Sequence, residues 1–254
     1  MKVCGFGTHA VVYRIKDGKK ALKKYKLNFH NSRLVAQKEF ELAQTFKSHN
    51  LVQILAFNLV EGWIEMEFVD GISLAELVSH EGALEESLLL PILGDMLAGL
   101  SALHSHGLVH RDVKPSNVMR KSSNGICKLI DWIGKEEENI SFLLGKPVGT
   151  PVFMAPEVVR TNRHAEQSDT WSLGCTVINL LSGRLPWANA DAMGRTNEFM
   201  AMWKTANGEA PAQDNLTWSS SLRSFVARCF EPNVKLRAKA QDLQTDFLFL
   251  NHIT

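Results

Sequence analysis

Apolar and polar residues alternate over the first part of the chain in short runs that are separated by turn signals. A period of two predicts β-strands, and Asp17-Gly18 between two of the runs is a hairpin dipeptide because such turns need positive φ angles. Apolar residues three and four positions apart predict one helix over 32–47. The predicted strands are 11–16, 20–25, 52–57 and 62–68.

Past Gly71 the pattern changes to longer apolar segments with helical spacing. The segment 169–182 is apolar on nearly every side, so we expect a helix that is buried all round. The chain therefore divides into a sheet-rich front, a hinge and a helical back, which is an α+β organisation. The predicted boundaries are 1–68, 69–71 and 72–254, and the predicted helices are 74–79, 87–106, 169–182, 222–230 and 240–250.

Composition and charge exclude few functions. The 254 residues are 45% hydrophobic and 22% charged, which is an ordinary globular balance in a chain long enough to bury a large core. The net charge of +1 gives no reason to expect nucleic acid or an acidic membrane as a partner. We interpret the lysines between residues 16 and 26 as a solvated hairpin face.

Four widely spaced cysteines without a CxxC pair favour free thiols in a reducing compartment over disulfides or a zinc site. The sequence shows no secretory leader, and we expect no apolar run of membrane-spanning length. These features predict a cytoplasmic protein that could also enter the nucleus. They leave its oligomeric state open.

The most specific motif is His110-Arg111-Asp112-Val113-Lys114-Pro115-Ser116-Asn117. It fills every fixed position of H-R-D-x-x-x-x-N and resembles the catalytic loop of eukaryotic protein kinases. The resemblance implies that Asp112 accepts the proton of a substrate hydroxyl, that Lys114 stabilises the transferring charge and that Asn117 holds metal. It also implies the two-lobed kinase fold, with a small antiparallel sheet and one helix in front of a larger, mainly helical lobe, as one domain over 1–254.

The front lobe contains a segment that resembles the kinase glycine-rich loop, Gly5-Phe6-Gly7-Thr8-His9-Ala10-Val11-Val12, with Ala10 at the third glycine. Glycine lets the backbone lie against phosphates where a Cβ would collide. The resemblance therefore implies that Gly5 and Gly7 contact the nucleotide. Alone, the match is weak, since a plain glycine hairpin looks the same.

Ala21-Leu22-Lys23 resembles the kinase motif V-A-I-K, which implies that Lys23 reaches the α- and β-phosphates. Strand alternation sends the neighbouring Lys24 to the other face. In the family an acid on the following helix holds this lysine. Glu39 is the predicted partner by its spacing, and Glu41 is the alternative.

Asp131 ends a predicted strand, 127–130, where kinases have the metal-binding aspartate of D-F-G. The resemblance implies that Asp131 binds Mg²⁺. The next two residues depart from the pattern, because Trp132 is larger than phenylalanine and Ile133 is β-branched where glycine is usual. We expect this change to alter, and to restrict, the inward–outward flip of the segment.

Gly149-Thr150-Pro151-Val152-Phe153-Met154-Ala155-Pro156-Glu157 resembles the end of the kinase activation segment. The resemblance implies that Glu157 pairs with Arg237 and that Asp169 braces the backbone of the catalytic loop. These assignments separate protein kinases from small-molecule kinases with a similar front lobe.

The resemblance also predicts the nucleotide pocket. Met66 is the expected gatekeeper, and backbone groups near Glu67 and Val69 in the hinge are expected to bond the purine. Met residues also fill ordinary cores, and the two roles are compatible. The adenine is expected to lie between Cys4, Val12 and Ala21 above and Met119 below.

Regulation is predicted at the activation segment. Arg111 stands where kinases pair an arginine with a phosphorylated loop. Ser141 is the predicted phosphosite, since Thr150 is expected to be occupied at the catalytic centre. The alternatives are a standing charge from the acidic run 136–138, which needs no phosphate, and a mobile solvated loop.

These motifs predict a serine/threonine protein kinase that uses ATP and Mg²⁺, acts on protein substrates and belongs to a signalling cascade. The blocks around Glu157 and Asp169 look most like the STE group, especially MAP kinase kinase kinases, so a substrate could be a downstream kinase. The alternative is a pseudokinase scaffold, which Ala10 and the Trp132-Ile133 departure favour slightly. A small-molecule phosphotransferase is disfavoured by the Glu157 and Arg237 assignments.

Overall fold

In a computed structural model of the chain, three of the predicted site residues, Gly7, Glu39 and Ser141, lie outside the residues that are described. The departure at Ile133 and the acidic run 136–138 also lie outside them. The structure describes residues 1–6, 10–16, 18–25, 40–41, 43–58, 60–132, 149–188, 197–212 and 218–251, with backbone only for 6 and 247–251.

An antiparallel sheet of five strands in the order β1-β2-β3-β5-β4 forms the front of the molecule. The hairpin between β2 and β3 closes where the sequence predicts a turn, with Gly18 at a φ of 73°. Residues 40–41 and 43–45, inside the predicted first helix, are helical. The strands are β1 (Lys2–Phe6), β2 (Ala10–Arg14), β3 (Lys20–Tyr25), β4 (Ile54–Asn58) and β5 (Trp63–Glu67).

A second, three-stranded sheet begins just past the hinge, with strands in the order β6-β7-β8. Its β7 follows directly from the catalytic loop, and β8 leads into Asp131, so both edges of the predicted site are attached to one small sheet. The strands are β6 (Gly71–Ser73), β7 (Val118–Lys121) and β8 (Cys127–Leu129).

Helices make up most of the second lobe. In α4 the run from Ser168 to Leu181 is buried throughout, as its apolar sequence predicts. Two helices were not predicted from the sequence, the six-residue α3 and the partly exposed α5. The helices are α1 (Leu74–Glu81), α2 (Glu86–His104), α3 (Pro156–Thr161), α4 (Glu166–Ser182), α5 (Glu198–Ala206), α6 (Ser220–Cys229) and α7 (Ala240–Asn251).

Among the helices described, α2 is long and apolar enough to cross a membrane by length and composition, which the sequence pattern did not lead us to expect. Its buried side chains lie in the core of the second lobe and include Leu93, Leu97 and Leu100. A core helix of this length has the same composition as a membrane span.

The close approach of α2 to the segment before β4 depends on Gly99. A Cβ at this position would stand 2.8 Å from the carbonyl oxygen of Asn50 and 2.8 Å from a methyl group of Leu129. Asn50 also donates from its side chain to Asp95 of α2 at 2.8 Å and to the Cys127 carbonyl at 3.0 Å. These contacts fix the front lobe against α2 and β8. The two-lobed α+β fold that the kinase motifs predict is thereby confirmed.

We expect Gly99→Ala to lower the free energy of unfolding by about 1–3 kcal/mol, because the added methyl group overpacks the contact with Asn50. Intrinsic helix propensity acts in the opposite direction, since alanine is favoured over glycine by about 1 kcal/mol. Urea denaturation measures the difference. Ser87→Ala, at an exposed position of the same helix, is the control and should stay within about 0.5 kcal/mol. A Gly99→Ala protein at least as stable as the wild type would contradict this packing.

Candidate functional site

The catalytic loop is held from below by the carboxylate of Asp169, which lies at the start of α4 and is 1% exposed. Its oxygens accept from the backbone N–H groups of His110 at 2.7 Å and Arg111 at 2.8 Å, and Nε2 of His104 lies 2.8 Å away. Burial favours the neutral acid, but these groups outweigh it, so the pKa of Asp169 is lowered. The contacts also hold Arg111 at a φ of 68°, a conformation that non-glycine residues rarely adopt.

Asp112 lies among three polar side chains of the predicted site. Lys114 Nζ is 2.8 Å from one carboxylate oxygen, and Asn117 Nδ2 donates to the same oxygen at 2.9 Å and to the Asp112 carbonyl at 2.8 Å. The hydroxyl of Thr150 donates to the other oxygen at 2.9 Å and accepts from Lys114 at 2.6 Å. Thr150 is therefore bonded to both Asp112 and Lys114, the two residues for which the sequence predicts a catalytic role.

The two lobes meet at an ion pair between Lys23 of β3 and Asp131. Burial disfavours the Lys23 ammonium, but the nearby Tyr25 and Asp131 favour it more strongly, so the pKa of Lys23 is raised. The Lys23 nitrogen also lies 5.1 Å from the centre of the Tyr25 ring. Lys23 is therefore favoured in its charged form and faces Asp131, while the neighbouring Lys24 is exposed.

Two predicted adenine contacts, Val12 and Ala21, and the predicted gatekeeper Met66 share a face of the sheet with Lys23. Val12 is opposite Lys23 and Met66 is opposite Ala21 in the strand pairs, and opposite residues of an antiparallel pair point to the same side. Ala21 is buried and lies two positions before Lys23 on β3, which puts it on that same face.

Four further predicted nucleotide contacts, Cys4, Gly5, Val69 and Met119, lie within the described residues. Gly5 is opposite Val12 on β1, and the exposed Cys4 donates its thiol to the Val12 carbonyl at 3.5 Å. Met119 lies on β7 of the other lobe, opposite Lys128 of β8, and is partly buried against the core. Val69 is buried in the hinge.

Glu67 in the hinge makes contacts that sequence reasoning missed. Its backbone N–H donates to the Gln53 carbonyl at 2.9 Å, and its carboxylate accepts from the Gln53 backbone N–H at 2.9 Å. The same carboxylate lies 2.5 Å from the ammonium of Lys128, a buried lysine that also donates to the Leu51 carbonyl at 3.1 Å. The sequence signal for this pair was a lysine within the apolar run 127–130, because a buried lysine nearly always has an acidic partner or an acceptor.

Asn117 and Asp131 offer the oxygen ligands that Mg²⁺ prefers. Because the Asn117 amide nitrogen donates to Asp112, its oxygen is the atom available to a metal. No group of three His, Cys, Asp or Glu side chains within the described part of the chain could hold a metal alone. Mg²⁺ is commonly held by one or two carboxylates together with substrate phosphates, so the donor set is compatible with this ion.

The start of α3 is fixed to the far end of the lobe by a bidentate ion pair. Arg237 donates to both oxygens of Glu157, at 2.8 Å and 3.0 Å, and Ser168 adds a hydroxyl donor at 2.7 Å. Burial raises the pKa of Glu157, but the Arg237 guanidinium and Ser168 lower it more, so the net shift is downward. Because α3 follows Thr150 closely, this pair positions the end of the activation segment.

Comparison with known proteins agrees with this geometry. The family model of the protein kinase domain matches residues 1–249. A probable serine/threonine-protein kinase of Dictyostelium discoideum is 33% identical over 81% of this chain and 32% of its own length. Mitogen-activated protein kinase kinase kinase 2 of Arabidopsis thaliana is 31% identical over 82% and 32%. The MAP kinase kinase kinase wis4 of Schizosaccharomyces pombe is 31% identical over 86% and 18%. The chain thus spans a third or less of the length of these relatives.

We expect Glu157→Gln to lower the free energy of unfolding by about 3–5 kcal/mol near neutral pH, because it leaves the charge of Arg237 buried without its partner. Since the pKa of Glu157 is lowered on folding, the wild-type advantage is complete above the ordinary glutamate value of about 4.3 and disappears as pH falls through the folded pKa. Denaturation of both proteins at a series of pH values measures it. Glu209→Gln, which affects an exposed pair with Lys204, should stay within about 1 kcal/mol. An equal effect of the two substitutions would contradict the role of the buried pair.

Proposed function

Since the chain belongs to the protein kinase family, we propose that it is an active serine/threonine kinase that transfers the γ-phosphate of ATP to hydroxyls of proteins. The observation that carries this proposal is the ion pair of Lys23 with Asp131 beside the loop that holds Asp112. The Ile130 N–H, next to Asp131, donates to the Asn117 carbonyl at 2.9 Å, and the Asn117 side chain contacts the Asp112 carboxylate. Asp112 and Asp131 approach from one lobe and Lys23 from the other. A nucleotide between the lobes would contact groups from both.

In this proposal Asp112 orients the substrate hydroxyl and accepts its proton, while Lys114 stabilises the charge on the phosphoryl group in transfer. Lys23 holds the α- and β-phosphates, and Val12, Ala21 and Met119 enclose the adenine. When Mg²⁺ is bound by Asn117 and Asp131, it neutralises charge on the phosphates. Most of the rate gain is then positioning and electrostatic stabilisation.

Lys114 and Thr150 support a hydroxyl of serine or threonine as the acceptor. The Thr150 hydroxyl donates to the Asp112 carboxylate and accepts from the Lys114 ammonium. A substrate hydroxyl would take the same position between these two groups. Similarity to MAP kinase kinase kinases further supports a downstream kinase as the substrate, in a signalling cascade. We propose a cytoplasmic location with access to the nucleus on the sequence features alone.

A pseudokinase scaffold is the second candidate. Trp132 follows Asp131 where kinases have phenylalanine, and the buried Ala10 replaces the third glycine of the phosphate loop. Both changes could weaken nucleotide binding without disturbing the fold. Lys23 in contact with Asp131, and Asp112 in contact with Lys114 and Asn117, favour activity.

We expect Asp112→Asn to lower phosphate transfer by about 10²- to 10⁴-fold, because the amide cannot accept the substrate proton. Transfer of radiolabelled phosphate from ATP to a generic protein substrate measures the rate. The melting temperature of the variant should match the wild type, which excludes unfolding as the cause. A wild-type protein that transfers no phosphate would support the pseudokinase scaffold. An Asp112→Asn protein with wild-type activity would show that Asp112 is not the catalytic base.

We expect Lys23→Met to weaken phosphate transfer by about 10- to 100-fold, since a charged hydrogen bond to the phosphates and the pair with Asp131 are both lost. Lys24→Met is the matched control, because this lysine is adjacent in sequence but lies on the exposed face. It should keep activity within about twofold. Equal losses in both variants would contradict the strand register that selects Lys23.

A further inference from the structure

Trp132 makes a specific contact that phenylalanine could not make. The side chain is 5% exposed, and its indole N–H donates to the backbone carbonyl of Val52 at 3.2 Å. The ring also lies 6.0 Å from the ring of Phe46, which stacks on His106 at 4.0 Å. Phenylalanine at this position would leave the carbonyl of Val52 without the indole donor.

Val52 is hydrogen-bonded to the chain on both sides of Asp131. The Val52 N–H donates to the carbonyl of Leu129 at 2.9 Å, two positions before Asp131, and the Val52 carbonyl accepts from Trp132, one position after it. Val52 is itself 2% exposed. Asp131 is therefore bracketed by two hydrogen bonds to a single residue of the other lobe.

The backbone of Asp131 needs such restraint. Its φ is 60°, in the left-handed region, which aspartate tolerates better than most side chains but still enters at a cost unless its surroundings hold it. In this conformation the carboxylate meets Lys23. A change of backbone conformation at Asp131 would move the carboxylate out of reach of the cleft.

We propose that Trp132 is a positioning residue for Asp131, acting through the hydrogen bond from its indole N–H to the carbonyl of Val52. The bond favours the conformation in which the Asp131 carboxylate faces the nucleotide cleft, so it raises the affinity of the site for magnesium nucleotide. The proposal rests on the proposed function, because it assumes that Asp131 binds metal. On this proposal Trp132, the unusual residue after Asp131, strengthens metal binding and does not weaken it.

The test compares two variants with the wild-type chain. Trp132→Phe keeps an aromatic ring but removes the donor. Replacement of Trp132 by 3-benzothienylalanine keeps the shape of indole with sulfur in place of N–H, so it removes only the hydrogen bond. Trp218→Phe is the matched control, since Trp218 is also buried and its indole N–H has no hydrogen-bond partner among the groups described.

The readout is the affinity for ADP, measured by titration calorimetry at a series of Mg²⁺ concentrations. We expect the Mg²⁺ concentration at half-maximal binding to rise about threefold to tenfold in both Trp132 variants, the effect of one ordinary hydrogen bond on an equilibrium. It should not change in Trp218→Phe. Binding of ADP without Mg²⁺ should be equal in all four proteins, which a general loosening of the fold would not produce.

A second readout does not depend on nucleotide. The indole N–H signal of Trp132 in proton–nitrogen NMR spectra, assigned by its absence in Trp132→Phe, should exchange with solvent far more slowly than that of the half-exposed Trp203. Equally fast exchange of the two signals would show that the tether does not form and would overturn the proposal.

The outcomes separate this proposal from the proposed function. Wild-type Mg²⁺ dependence in the 3-benzothienylalanine protein would overturn the role of Trp132 while leaving kinase activity intact. A wild-type chain that binds magnesium nucleotide but transfers no phosphate would remove the proposed activity alone. A wild-type chain that binds no magnesium nucleotide at all would remove both.

Discussion

The geometry of the site depends on the burial of one carboxylate, that of Asp169. A buried charge is tolerated only where hydrogen bonds satisfy it, and here the donors are the backbone N–H groups of His110 and Arg111 together with the His104 ring. Because two of these donors belong to the catalytic loop, satisfying the charge also fixes the backbone that leads into Asp112. The same contacts keep Arg111 in a left-handed conformation that an isolated loop would leave. The position of Asp112 thus depends on how the buried charge of Asp169, at the start of α4, is satisfied.

A second set of contacts joins the strand β8 to the hinge. The segment from Asn50 to Gln53 bonds to β8 through the backbone of Leu129 and to the hinge through Glu67. Lys128 joins both, since it reaches the Leu51 carbonyl and the Glu67 carboxylate. The strand that leads to Asp131 and the hinge, where we propose that the purine binds, are therefore held by the same short segment. The energy of an ion pair in low-dielectric surroundings depends strongly on distance. A small shift of this segment would therefore change the contacts of Lys128 with Leu51 and Glu67 and move both β8 and the hinge.

The two-lobed organisation and most strands and helices could be predicted from the sequence, because hydrophobic period and motif spacing are local signals. Lys20–Tyr25 is a strand with the predicted bounds. The predicted strand over 52–57 instead starts at Ile54, because the backbone groups of Val52 and Gln53 bond to β8 and the hinge. The six residues of α3 are too few to show a period, and α5 carries Phe199 and Trp203 on exposed positions. The pairing of Lys128 with Glu67, and of Trp132 with Val52, joins residues 61 and 80 positions apart, which no local pattern reports.

The departure after Asp131 therefore has two opposite interpretations that composition alone cannot separate. As a deviation from a motif, Trp132 suggests a lost activity. As a buried side chain with a satisfied indole N–H, it suggests stronger restraint on the neighbouring aspartate. The second interpretation agrees with the rest of the site, because Lys23 and Asp131 are held in contact across the lobes although a partly buried pair has a desolvation cost. Strain in the Asp131 backbone points the same way, since strained conformations persist where function maintains the contacts that hold them.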